Sequence, residues 1–174
     1  GGSSLGIQAI YDFMKPKIKK KFYFFDNLDS KNRIIKTKSK SLNLIISKSG
    51  NTLETIVNEN IFSGGNKLYI TENNNNYLRN TALRLKKEII EHKNFIGGRY
   101  SVLSEVGMLP AELMGLNSNK FKRFDKLVSN RDFINSLLTN VTMLYRLVKM
   151  GKTNSIILNY DESSYLSLIH IWRC

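Results

Sequence analysis

The chain of 174 residues is 41% hydrophobic and carries a net charge of +13, from 27 Lys and Arg against 14 Asp and Glu. That length and apolar content suit one domain with a substantial core, with room for the start of a second, and exclude a disordered or fibrous chain; no run approaches the ~20 apolar residues of a membrane-spanning helix. The basic excess is mostly lysine scattered among asparagine and isoleucine, as at Lys19-Lys20-Lys21 and residues 73–76, without arginines interleaved with aromatics, so nucleic-acid binding is set aside, while an anionic metabolite would still be attracted.

Residues 1–4 lack the charged stretch and apolar run of a secretory leader, and the one cysteine, Cys174, points to a reducing compartment. Residues 5–14 read as a short helix that stops before Lys15-Pro16, because proline disfavours helix in the residue before it. The aromatic run at 22–25 reads as a strand, and 27–39 as a polar loop. Residues 42–46 form a second strand. Leu53, Ile56, Val57 and Ile61 then recur at helical spacing, and Ser63-Gly64-Gly65 ends that helix. Residues 67–70 read as a third strand, 73–76 as a turn, and 77–87 as a polar helix. Val102, Val106, Leu109 and Leu113 place an apolar stripe on a helix from near Ser101, with Pro110 as a kink or a new first turn. Phe133, Leu137, Val141, Leu144 and Val148 make a longer stripe ended by Gly151, and 155–159 read as a last strand. Strands alternating with helices imply an α/β fold with a parallel sheet covered on both faces.

The strongest chemical signal is Ser47-Lys48-Ser49-Gly50-Asn51-Thr52-Leu53-Glu54-Thr55. A buried strand runs into a hydroxyl-rich turn and then a helix, whose free N–H groups and dipole favour an anion. Gly50 permits a tight turn, Ser47, Ser49 and Thr52 supply hydroxyls, and Lys48 adds charge. The spacing is not that of a Walker loop. It leaves two readings open, a phosphate cradle and plain capping, with Asn51 as cap residue and Glu54 as its box partner. His92 reads as a solvated loop histidine. No Cys/His cluster suggests a metal, and no Ser-His-Asp pattern is recognisable.

The same nine residues resemble the Ser-x-Ser-Gly-x-Thr-x-Glu-Thr phosphate loop of sugar-isomerase domains, which is shared by isomerases, amidotransferase partners and sugar-phosphate-sensing regulators. Gly1-Gly2-Ser3-Ser4-Leu5-Gly6 resembles the glycine-rich turn of glucose-6-phosphate isomerases. Asn94-Phe95-Ile96-Gly97-Gly98-Arg99-Tyr100-Ser101-Val102-Leu103-Ser104-Glu105-Val106-Gly107 is similar to that family's own signature, with Glu105 where small residues are commoner. Ile156-Ile157-Leu158-Asn159-Tyr160-Asp161 matches a late strand and its loop, with Asn159 in place of the usual proline. On these motifs, in this order, the chain is identified as a member of the glucose-6-phosphate isomerase family.

The resemblance implies a three-layer sandwich with a mostly parallel sheet flanked by helices, of the flavodoxin- or Rossmann-like kind. It assigns residues 1–161 to a sugar-isomerase domain lacking its first strand and 162–174 to a truncated or foreign tail. The implied reaction interconverts glucose 6-phosphate and fructose 6-phosphate through a cis-enediol, without metal or organic cofactor. Ser47, Lys48, Ser49 and Thr52 would hold the 6-phosphate. Gly2, Ser3 and Gly98 would lie against the sugar. Arg99 would stand beside the reacting carbons, and Glu54 would support the histidine that opens the ring. The family's enolising glutamate, ring-opening histidine and terminal lysine helix have no counterpart in these residues, so the chain alone is expected to be inactive. The resemblance also implies a cytoplasmic homodimer for the full-length protein. A non-enzymatic, sugar-phosphate-sensing domain of the same fold is the alternative.

Overall fold

The computed structural model describes residues 2–28, 35–36 and 40–154; the strand expected at 155–159 and the tail after it lie outside them. The described residues fall into two compact units divided between Leu116 and Asn117.

The first unit is built on a three-stranded parallel sheet of β2 (Leu42–Ile46), β4 (Asn66–Thr71) and β5 (Glu88–Glu91), in that order. Its register sets Ile45, Tyr69 and Ile89 in one row and Ile46, Ile70 and Ile90 in the next. Successive side chains of a strand face opposite ways, so each row serves a separate core. The Ile70 row packs with Ile7 of α1 (Gly2–Met14) and Val106 of α4 (Glu105–Leu113), together with Met114. The Tyr69 row packs with Ile56 of α2 (Leu53–Ile61) and with Leu78 and Ala82 of α3 (Tyr77–Arg84). Helices therefore cover both faces, as the alternation of elements predicts. Ile70 and Leu78 are wholly buried, and each contributes roughly 1.5–3 kcal/mol by leaving water.

One polar cluster fastens α2 to the sheet. Glu59 accepts from Lys67 Nζ at 2.7 Å and from the Tyr69 hydroxyl at 2.9 Å, with Glu59 and Tyr69 both buried. Burial first, and then the Glu59 carboxylate, push the Tyr69 phenol well above the ordinary tyrosine range.

Several local expectations are corrected. The helix expected at 5–14 begins at Gly2, so the glycine-rich opening is the first turn of α1. The run at 22–25 forms no strand. Phe22 and Phe24 instead pack on Tyr11, at ring separations of 6.0 and 5.5 Å, and Phe25 meets Phe62 edge-on at 4.5 Å. Tyr23 and Phe25 stay largely exposed, and no neighbouring strand supplies a ladder among the described residues. Within the expected loop at 27–39, β1 (Ile35–Lys36) pairs in parallel with β3 (Phe62–Ser63), which directly follows α2. The helix at 77–87 stops at Arg84. Glu88–Glu91 was not expected as a strand: two isoleucines between charged residues carry no periodicity, yet one serves each core. Residues 98–103 form a 3-10 turn (Gly98–Leu103) before α4, which contains Pro110 without ending there.

In the second unit, a 3-10 turn (Ser118–Arg123) leads into α5 (Phe124–Val128) and α6 (Arg131–Lys149). The side chain of Asn130 caps α6 by accepting from Phe133 N at 3.0 Å. Gly151, at φ +81°, follows the C-terminus as its sequence position predicts. No described helix is long and apolar enough to cross a membrane.

Candidate functional site

In a parallel sheet the loops leaving the C-terminal strand ends converge at one edge, where α/β folds bind ligands. β2, β4 and β5 run the same way, so residues 47–52, 72–76 and 92–97 all emerge there. Backbone bonds knit these loops together. Glu72 N donates to Lys48 O at 3.1 Å, Leu78 N to Gly50 O at 3.1 Å, and His92 N to Thr71 O at 2.8 Å.

The 47–52 loop carries three hydroxyls and a glycine between β2 and α2. Ser47 is buried, and its hydroxyl lies 2.7 Å from that of Thr52. Ser49 is exposed, and its hydroxyl accepts from Asn51 N at 3.3 Å. Gly50 takes φ +66°, the left-handed region that glycine enters freely. The cap residue of α2 is Thr52, and no side chain caps the helix. The expected capping box is therefore corrected: the Asn51 side chain accepts from Tyr77 N at 2.9 Å, the first residue of α3. It is spent on holding two loops together, so the first N–H groups of α2 are left for solvent or an anion. Glu54 stands exposed in that first turn.

Lys48 links this loop to the second motif. Its Nζ donates to the carbonyl of Asn94 at 2.7 Å and lies 3.4 Å from Glu72 Oε1. Asn94 opens the stretch that runs through Gly97 and Gly98 to Arg99. Arg99 is exposed at the start of the 3-10 turn. That turn is fixed by Ser101, whose buried hydroxyl donates to Gly98 O at 2.7 Å. Gly2 and Ser3 form the first turn of α1, and α1 meets the 3-10 turn closely. A Cβ on Gly6 would lie 2.8 Å from Val102 Cβ. All three motifs thus belong to one continuous set of contacts, although nearly fifty residues of sequence separate Lys48 from Asn94.

Sequence reasoning missed three contributors. Glu72 and Asn94 hold Lys48; Asn94 was legible only as the first residue of the 94–107 motif, and Glu72 only by the polarity of its segment. Asn76 is buried and caps α3 by accepting from Arg79 N at 2.9 Å; its place before a helical stretch was the available signal. His92 is a correction, since it is fully buried rather than solvated. It extends the inward row of Ile90 beyond the end of β5. Its Nδ1 lies 3.0 Å from Lys93 O and 3.9 Å from Glu105 Oε1, and Glu105 also accepts from Lys93 N at 3.3 Å. Among the described residues no group of His, Cys, Asp and Glu is placed to hold a metal ion.

A sequence model of the phosphoglucose isomerase family matches residues 1–164. The glucose-6-phosphate isomerase of Methanocaldococcus jannaschii is 36% identical, over 94% of this chain and 44% of that protein. The glucose-6-phosphate isomerase of Mycoplasma genitalium is 34% identical, over 86% of this chain and 38% of that one. The chain therefore spans less than half the length of these relatives. Among solved structures, a hypothetical protein from Thermus thermophilus shares the fold with a TM-score of 0.62 at 22% identity, over 84% of this chain and 40% of that one. A match over nearly the whole chain, on a parallel sheet covered by helices on both faces, places it in the phosphoglucose isomerase family.

Proposed function

We propose that this chain is the sugar-phosphate-binding part of an enzyme that interconverts glucose 6-phosphate and fructose 6-phosphate. The observation that carries the reading is the meeting of the 47–52 loop with the segment leading to Arg99, through Lys48 and Asn94. The N-terminus of α2, Ser47, Lys48, Ser49 and Thr52 would hold the 6-phosphate. This puts the sugar toward Gly98 and Arg99, with Gly2 and Ser3 in the neighbouring helix turn. Moving a proton between adjacent carbons passes through a cis-enediolate, whose developing oxygen charge the Arg99 guanidinium would stabilise. Glu54 would support the ring-opening histidine. The chemistry calls for a base and an oxyanion stabiliser, with no metal or organic cofactor. The same reading gives a cytoplasmic homodimer for the full-length enzyme.

The direct test is calorimetric titration of glucose 6-phosphate into the chain. Binding is expected, and Ser49→Ala should weaken it by about 1–3 kcal/mol, the scale of a hydrogen bond to a charged group. Ser49 suits this test better than Thr52, whose hydroxyl is tied to buried Ser47. Unchanged affinity in Ser49→Ala would remove this serine from the phosphate site, and no binding by the parent chain would sink the reading.

In the full-length enzyme, Arg99→Lys should lower kcat more than it raises KM, because an ammonium does not reproduce the planar guanidinium across an enediolate. A rise in KM alone would make Arg99 an ordinary binding group. Sugar-phosphate binding with no turnover in the full-length protein would favour the sensing-domain alternative.

A further inference from the structure

Lys48 is already occupied. Its ammonium donates to Asn94 O at 2.7 Å and faces Glu72 Oε1 at 3.4 Å, and the Lys48 and Glu72 side chains are only 30% and 16% exposed. Glu72 is itself fixed. Its N–H donates to Lys48 O at 3.1 Å, its carbonyl accepts from Asn76 Nδ2 at 3.2 Å, and its Oε2 accepts from Asn74 Nδ2 at 3.1 Å. A phosphate oxygen bonded to Lys48 in this position would lie close to a carboxylate of the same sign, an unfavourable pairing.

We propose that Glu72 and the Asn94 carbonyl form a built-in latch on Lys48, which a phosphate group must open. The proposal rests on the phosphate-binding reading of the 47–52 loop and adds a regulation to it. In the free protein Lys48 straps the Asn94–Arg99 segment to the phosphate loop. Phosphate draws the ammonium away from Glu72 and Asn94, and the segment that carries Gly97, Gly98 and Arg99 is released to settle on the sugar. Occupation of the phosphate site is thereby coupled to the freedom of Arg99. Glu72 opposes binding by competing for the lysine, so it acts as a positioning residue and not as a ligand to the phosphate. A differential contact of this kind is what lets a ligand shift a two-state segment.

The experiment uses the chain, with inorganic phosphate and glucose 6-phosphate as probes, and reads affinity by calorimetry and loop opening by amide exchange at Ile96 and Tyr100. Both amides close short turns at the two ends of the segment, Ile96 N on Lys93 O and Tyr100 N on Gly97 O. Glu72→Gln keeps the shape of the side chain and removes its charge. It should tighten both probes by about two- to fivefold, the scale of a partly exposed ion pair. Phosphate should speed exchange at Ile96 and Tyr100 in the parent chain. Lys48→Met should show that faster exchange without phosphate, and phosphate should add nothing to it. Equal or weaker binding by Glu72→Gln overturns the latch, as does slower exchange on adding phosphate. If the parent chain binds neither probe, the phosphate reading itself fails, and unchanged exchange in Lys48→Met would show separately that Lys48 straps nothing.

Discussion

Gly107→Ala is expected to destabilise the first unit by about 3 kcal/mol, the upper end of what overpacking costs. In isolation the change would favour helix, by roughly 0.5–1 kcal/mol. The packing reverses that sign. A Cβ at Gly107 would meet Val102 O at 1.9 Å and the Val102 carbonyl carbon and Cα at 2.7 and 2.8 Å. These are backbone atoms, so no rotamer change relieves the contact. Val102 has little room to retreat, because a Cβ on Gly6 would already press its side chain at 2.8 Å. The 3-10 turn is held between α1 and α4 by two glycines, one on each side. Alanine must push it, and Arg99 with it, out of place. Urea unfolding measures the loss, and titration with glucose 6-phosphate reads the displacement. A variant as stable as the parent would mean that the turn is not gripped in this way.

The second large effect is expected from Gly50→Ala. The alanine must hold φ +66°, which costs about 1 kcal/mol for a residue with a Cβ. Its Cβ would also stand 1.9 Å from Asn76 Oδ1 and 2.1 Å from Asn76 Cγ. Asn76 is buried and fully engaged. Oδ1 caps α3 through Arg79 N, and Nδ2 donates to Asn74 Oδ1 at 2.7 Å. Moving it removes a cap worth about 1 kcal/mol and strands a buried amide at about 1–3 kcal/mol. A total near 3–5 kcal/mol is a large part of a typical net stability of ~5–15 kcal/mol. The 47–52 loop should lose its shape at the same time, so on the proposed reading affinity for inorganic phosphate should fall with stability. Asn76→Gly in the same chain should recover part of the Gly50→Ala loss, since it removes the obstructing side chain. No recovery in the double variant would place the cost in the backbone alone.

The two variants share a lesson about where the site gets its precision. The 47–52 loop is shaped by Asn76, from a loop one strand away, and the Arg99 segment is shaped by α1 and α4. Asn76 and α1 are both remote in sequence from the groups they position, whereas α4 directly follows the turn it grips.

What the sequence by itself determined is what short-range physics controls. Apolar runs and helical spacing located β2, α2, β4 and α6, and glycine and hydroxyl chemistry located the turn after β2. The alternation of strand and helix set the parallel sheet with both faces covered, and the motif spacing led to the family. Tertiary structure decided the elements whose definition needs a partner. Residues 22–25 have strand-forming side chains, yet Phe22, Phe24 and Phe25 meet the rings of Tyr11 and Phe62 and no strand pairs with the run among the described residues. Residues 88–91 have weak strand character, yet pairing with β4 makes them β5 and buries His92 beyond their end. Asn51 has the spacing of a helix cap, but a second loop claims its side chain at 2.9 Å. The grip of Glu72 and Asn94 on Lys48 belongs to the same class, because it joins the exits of three different strands. Local pattern sets which way a side chain faces along its own element; which distant group it meets there depends on how the elements pack, and a linear sequence does not display that.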